Sequence, residues 1–181
     1  KLGCFAYGIN IDKDELSAVQ VYCHNATYAS MPVPTEVRDV VASVRKNGKP
    51  LTLELAANRD GVDTTLIGAL PNSSLVWWYP SGSTSPRLWQ NPFPSKKGVG
   101  SALAVLRTSD QPLAVVADTI ADPAHGRLWV FRTPDSGPSE TLGCIAGGTD
   151  FGRALAAGRF LGTKVDDLAV ASAKSVFVLP Q

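Results

Sequence analysis

One unit recurs along the chain: an Ala- and Gly-rich strand, a turn rich in Asn and Asp, and a second apolar strand. The fullest copy fills 150–172 and reads DFGRALAAGRFLGTKVDDLAVAS. A second, LAANRDGVDTTLIGA at 55–69, keeps the turn and the strand after it without a gap. Weaker copies lie at 10–19 (NIDKDELSAV) and 109–117 (SDQPLAVVA). Aligning the ends of the apolar strands brings Val19, Gly68, Val116 and Ala171 into register, about 50 residues apart. A repeat of this length is one supersecondary unit that cannot bury its apolar face alone, so neighbouring units must stack. Such architectures more often present binding surfaces than active sites.

A further hydrophobic strand follows each of the later copies, at 74–79 (SLVWWY), 127–131 (RLWVF) and 175–179 (SVFVL). The copies at 55–69 and 150–172 resemble the FG-GAP repeat of integrin-α-type β-propellers, whose usual wording is FG-x-ALAAGDFNGDGYDDLAVGAP. The resemblance implies an all-β chain of about four propeller blades, with repeats at roughly 1–48, 49–97, 98–140 and 141–181 of a single domain. The family usually closes its ring with about seven blades. The chain is therefore expected either to be part of a larger or inter-chain propeller, completed by a second chain, or to form a small four-bladed ring. The implied role is non-catalytic recognition or adhesion, binding a protein or a glycan through propeller loops. A carbohydrate-binding lectin and an accessory propeller segment of a secreted hydrolase are the alternatives.

Seventeen basic and sixteen acidic residues give a net charge of +1. No basic stripe supports nucleic-acid binding, and no apolar run approaches the ~20 residues of a membrane span. The chain opens at Lys1 directly into repeat-like sequence, which predicts a processed or excised piece of an extracellular or cell-surface protein. Cys4 and Cys23 bracket the first hairpin at positions that face each other in an antiparallel pair. A Cys4–Cys23 bridge is expected, in keeping with export. Cys144 is expected to be a small buried apolar residue.

Apolar and β-branched runs bounded by turn residues predict strands at 51–57, 66–70, 75–79, 102–106, 113–117, 128–131 and 176–179. The run 153–160 is rich in Ala and Leu, which favour helix, but its bracketing glycines and its recurrence favour strand. Stretches rich in Pro, Ser and Gly at 80–101 and 134–139 read as surface loops. So does 28–37, where Pro32 and Pro34 block regular pairing.

The family's Asx-rich turn often holds Ca²⁺, since oxygen ligands at alternate positions of a tight loop wrap a hard cation. Carried over by position, the candidate calcium ligands are Asn58, Asp60 and Thr64 in one copy. In another they are Asn10, Asp12 and Glu15, once one turn residue is deleted. Ala56 replaces the family's first carboxylate and Thr64 its last. In the best copy Arg159, Leu161 and Thr163 occupy ligand positions, leaving Asp166 and Asp167. Without metal these residues act as turn formers that bond their own backbone.

Only His24 and His125 titrate near neutrality, and neither sits in a triad-like context, so no catalytic constellation is read. The aromatics are the stronger lead. Trp77, Trp78 and Tyr79 are consecutive and alternate between faces of a strand, and Trp89 lies in a Pro/Ser-rich stretch. Trp77, Tyr79 and Trp89 are candidate ligand-binding platforms, offering large area at low entropic cost. Trp78 and Trp129 are expected to pack between blades. The triplets beginning at Asn25 and Asn72 match the N-glycosylation acceptor pattern.

Overall fold

The computed structural model describes the chain except 1–3, 13–14, 24–26, 48–51, 61–62, 81–82, 90–98, 120–124 and 135–137. Side chains are described from Met31 onward, apart from those gaps and 44–45, 58–64 and 72. Four antiparallel sheets follow one another in chain order. The first contains β1 (Cys4–Asp12), β2 (Glu15–Cys23) and β3 (Thr27–Pro32), and leads into helix α1 (Thr35–Lys46). The second contains β4 (Glu54–Asp60), β5 (Asp63–Leu70), β6 (Leu75–Tyr79) and the short β7 (Arg87–Leu88). The third contains β8 (Val99–Leu106), β9 (Leu113–Asp118), β10 (Arg127–Arg132) and β11 (Glu140–Ala146), and the fourth β12 (Ala154–Gly158), β13 (Asp167–Ala171) and β14 (Val176–Leu179). Within every sheet, strands consecutive in sequence are neighbours in space. The described chain is therefore all-β apart from α1 and a one-turn 3-10 segment at Pro71–Ser73.

The first strands of successive sheets touch: β1 meets β4, β4 meets β8, and β8 meets β12. Three apolar layers fill the spaces between. One joins Val33, Val37 and Val41 around α1 to Leu66, Trp77 and Tyr79 of the second sheet. Another sets Ile67, Val76 and Trp78 against Val105, Val116 and Phe131 of the third. The last sets Ala104, Val115 and Leu128 against Phe151, Leu168 and Val170 of the fourth. Strand residues point alternately to the two faces, so the second and third sheets are apolar on both sides. This is why β6, β8 and β9 show continuous burial in place of an in–out alternation. Trp77 and Trp78 are both buried because they enter different layers.

Close approach rests on two glycines. Gly68 on β5 pairs directly with Trp77 on β6, and a Cβ placed on Gly68 would lie 2.3 Å from the indole ring. The ring lies over the bare backbone and fills the space that a side chain would take. Gly152 has φ +89°, a region that L-residues rarely enter. A Cβ there would also meet Leu128 at 2.8 Å. Its neighbour Phe151 is buried between the third and fourth sheets and makes an edge contact with Phe177 at 5.9 Å. The Phe-Gly pair thus has a packing reason: one residue plugs the gap between sheets, and the other permits the turn into β12.

Several sequence expectations change. The stretch 28–37 is not a surface loop but the end of β3 and the start of α1. Pro32 closes the strand, and the Pro34 carbonyl accepts the N–H groups of Val37 and Arg38 to open the helix. Val33, Val37 and Val41 recur every four residues, one helical turn, and all three are buried. Within 80–101, Trp89 is a core residue whose N–H bonds the Val76 carbonyl at 2.9 Å. Residues 140–146 pair with β10 and complete the third sheet, so the fourth begins at Ala154 and not near 141. Cys144 lies on that outer strand and is exposed, not buried. The run 153–160 contains strand β12, as its glycines indicated.

Substituting Gly68→Ala forces Trp77 off its seat in a layer that cannot expand. Overpacking of this kind is expected to lower stability by about 1–3 kcal/mol, read as a reduced urea midpoint at unchanged slope.

Candidate functional site

The turns joining first to second strands meet where the third and fourth sheets adjoin. The β8–β9 turn is closed by Thr108, whose hydroxyl accepts the N–H groups of Asp110 (3.1 Å) and Gln111 (3.2 Å) and donates to the Gln111 carbonyl (2.7 Å). The β12–β13 turn is held by two buried carboxylates. Asp167 Oδ2 accepts the Leu161 N–H at 2.8 Å and so folds the turn back on its own strand. Asp166 Oδ2 accepts the Arg107 N–H at 2.8 Å, while the Asp166 N–H donates to the Arg107 carbonyl at 2.9 Å. The Arg107 guanidinium donates in turn to the Lys164 carbonyl at 3.1 Å. A reciprocal backbone–carboxylate clasp therefore locks one turn to the next.

Outside this clasp the two turns present mixed chemistry. Ser109, Asp110 and Gln111 are exposed on one, and Arg159, Leu161 and Lys164 on the other. Leu161 is 57% exposed at the tip, so an apolar group stands among charges of both signs on a backbone held rigid from beneath. That arrangement suits contact with a partner's surface. Sequence reasoning passed over Leu161 as a failed calcium ligand. Its position in the repeat, at a turn tip with no partner strand, was the available signal.

The aromatic candidates lie elsewhere. Trp77 and Tyr79 are fully buried, and Trp89 is 5% exposed. Trp89 stacks on Phe131 with ring centroids 5.0 Å apart, and Trp78 meets the same ring edge-on at 6.3 Å. The Trp89 indole N–H donates to the Thr141 hydroxyl at 3.3 Å. The expected platforms are thus core anchors, because the sheets that carry them are covered on both faces. Tyr79 has a structural task of its own: its hydroxyl donates to the Pro32 carbonyl at 3.0 Å, tying β6 to the entry of α1. Burial pushes the Tyr79 phenol up to about 12.

The calcium candidates fall in two short hairpins. Pairing runs to Asp60↔Asp63 in one and Asp12↔Glu15 in the other, so two residues remain in each turn. Thr64 pairs with Arg59, one position out of phase with Asn58 and Asp60. Asn10 pairs with Leu16 beside a register shift. The side chains of all six candidates, Asn10, Asp12, Glu15, Asn58, Asp60 and Thr64, lie outside the described residues. Among the described residues no cluster of three or more His, Cys, Asp or Glu could hold a metal, and no helix is long and apolar enough to cross a membrane. His125 is exposed in the turn before β10, whereas His24 lies outside the described residues.

Backbone pairing sets Cys4 directly opposite Cys23. Residues so paired have Cα atoms about 4.5–5.5 Å apart, inside the window of about 4.4–6.8 Å that a disulfide spans.

Two measurements follow. Tyr79→Phe removes the bond to Pro32 and is expected to cost about 1 kcal/mol. In the parent protein the folded phenol holds its proton where the unfolded one, near 10, has lost it. Stability therefore falls as pH rises from about 10 to about 12, and Tyr79→Phe shallows that fall in an alkaline denaturation series. For the cysteines, denatured unreduced protein is expected to titrate one thiol and reduced protein all three; three thiols before reduction exclude the bridge. Compared with known proteins, the chain matches no family model and no curated protein.

Proposed function

We propose that the chain is a run of FG-GAP-like propeller blades acting as a non-catalytic recognition module at the cell surface or outside the cell. It would bind a protein or glycan partner through the turns at one end of its sheets. One observation carries the reading: four antiparallel meanders in sequence order, each touching the next through its first strand. In a propeller that strand lies nearest the axis, which accounts for the buried alanines of β8. The passage from β11 through Phe151-Gly152 to β12 runs from the outermost strand of one sheet to the first of the next, as the link between blades requires.

Recognition is assigned to turns because the sheets are consumed by packing. Trp77, Trp78, Tyr79, Trp129 and Phe131 are buried, while the clasped turns at Arg107 and Asp166 hold exposed polar and apolar groups in a fixed relation. Binding energy at such a surface concentrates in a few central groups, and Leu161 is the most exposed large apolar side chain of these two turns. The turns hold their shape through backbone bonds to Asp166, Asp167 and Thr108, with no call on a metal.

Binding is tested by probing a glycan array and a cell-surface protein panel with the chain and with Leu161→Asp. The expected result is a protein or glycan ligand whose binding the substitution weakens by tenfold or more, about 1.4 kcal/mol. A ligand bound equally by both proteins removes the turn assignment. Metal dependence is tested by thermal melts with chelator and with added calcium; an unchanged midpoint is expected, and a midpoint raised by calcium overturns the metal-free account.

A further inference from the structure

The carboxylates of the β12–β13 turn are used up inside the fold. Asp166 and Asp167 are both buried, each with an oxygen committed to a backbone N–H. The cations of the same turn stay at the surface. Arg159 and Lys164 are exposed, and among the described residues neither has a carboxylate partner. The Arg107 guanidinium lies beside them, donating to the Lys164 carbonyl at 3.1 Å. Across the clasp, the β8–β9 turn exposes one carboxylate, Asp110. The paired turns therefore set Arg107, Arg159 and Lys164 against Asp110, in a chain whose net charge is only +1.

Between Arg159 and Lys164 in sequence stands an apolar pair. Leu161 is 57% exposed and Phe160 50%. Gly162 makes the turn that holds them out. Its φ of +77° is an angle that L-residues rarely adopt, and nothing lies within 4 Å of where its Cβ would be. The Leu161 N–H is fixed by Asp167, and the Thr163 hydroxyl donates to the Val165 carbonyl at 2.9 Å. Apolar area and positive charge are thus presented together on backbone ordered in advance, which lowers the entropy lost on binding.

That combination selects among partners. A neutral sugar gives the cations no counter-charge. An anionic polysaccharide gives them one but leaves Leu161 facing charge, with no apolar area to bury against. A second copy of the same turn would set cation against cation. A protein surface can supply both parts, carboxylates at the rim and an aliphatic hollow at the centre. We infer that the β12–β13 turn recognises an acidic protein segment, seating Leu161 in an apolar hollow bordered by Asp or Glu side chains. The inference rests on the recognition reading and narrows its partner from protein or glycan to acidic protein.

The test selects a random peptide library, displayed on phage, against the immobilised 181-residue chain. Selected peptides are then measured by fluorescence anisotropy against the parent, Leu161→Ala and the double variant Arg159→Glu, Lys164→Glu. The control is Lys174→Glu, an exposed charge in the turn between β13 and β14, at the opposite end of the sheet. Peptides enriched in Asp and Glu beside aliphatic residues are expected. The double variant is expected to bind them about a hundredfold more weakly, since like charges then face each other. That loss shrinks in added salt, because screening shortens to about 3 Å at 1 M. Leu161→Ala is expected to weaken binding about tenfold at every salt concentration, and Lys174→Glu to leave it unchanged. The substituted side chains are exposed and the clasp uses Leu161 and Lys164 through backbone atoms, so the variants keep the fold, checked by circular dichroism.

Peptides without an acidic bias, or bound equally by the double variant, overturn the inference and leave recognition standing at another surface. Heparin and phosphatidylserine vesicles form separate arms. Binding of either through Arg159 and Lys164, with no peptide selected, assigns the turn to a polyanion and overturns the acidic protein. If no peptide, heparin, vesicle or array glycan binds, the recognition reading fails with it.

Discussion

Everything in this fold depends on sheets that are apolar on both sides. A sheet with one wet face can end a structure, but a sheet with two dry faces demands a neighbour on each. The second sheet meets that demand with α1 on one side and the third sheet on the other, and the third with its two flanking sheets. Packing two sheets face to face closely enough to exclude water requires small residues where first strands converge. Ala102 and Ala104 stand on β8 for that reason. The larger groups, Trp78, Trp129, Phe131 and Leu128, sit on third strands, where the space between sheets is wider. Substituting a large residue on a first strand would push two sheets apart at once, whereas a loss on a third strand leaves a local cavity.

The recurring motif is intelligible residue by residue once this packing is seen. Phe151 fills the space between two sheets, and Gly152 takes a backbone angle closed to other residues while letting Leu128 approach. The alanines keep the first strand thin. The paired Asp166 and Asp167 divide the work of holding the turn: one carboxylate binds the backbone of the neighbouring turn, the other that of its own. Each accepts a backbone N–H in a partly buried bond, worth about 1 kcal/mol net. In this copy the aspartates are spent on architecture.

Strand existence was legible because each strand is a short apolar run between strong turn residues. The segments 75–79 and 176–179 coincide with β6 and β14 to the residue. Face assignment was less legible. The alignment that equates Gly68, Val116 and Ala171 places the first two on faces toward the preceding sheet and the third on the face away from it. A slip of one residue suffices, since side chains reverse with each step. Pro32 and Pro34, which read as loop residues, stand just before the helix. Val37 and Val41 carry the period of a helix, and Thr35–Lys46 contains no proline. The aromatic site was misplaced for a different reason. Consecutive aromatics on a strand suggest that one of them faces water only if the sheet has a wet side, and sequence alone did not show that both sides were occupied.

The core takes the aromatic side chains of β6 and β10, while the turns at Arg107 and Asp166 keep exposed groups. The clasp at Arg107 and Asp166 matters for the recognition proposed for these turns, because a turn ordered beforehand loses less entropy on binding. Two hydrogen bonds run between the backbone of Arg107 and Asp166, and a third from the guanidinium to Lys164, so that two turns of different sheets move as one. The exposed tip at Leu161 is anchored from below by Asp167 through its own N–H. The same construction explains why the turns tolerate varied side chains outward: the carboxylates and backbone groups that fix their shape point into the fold. The bonds that fix the nine-residue stretch 159–167 and the side chains that it exposes thus draw on different atoms, which leaves the outer side chains open to vary without loosening the sheets.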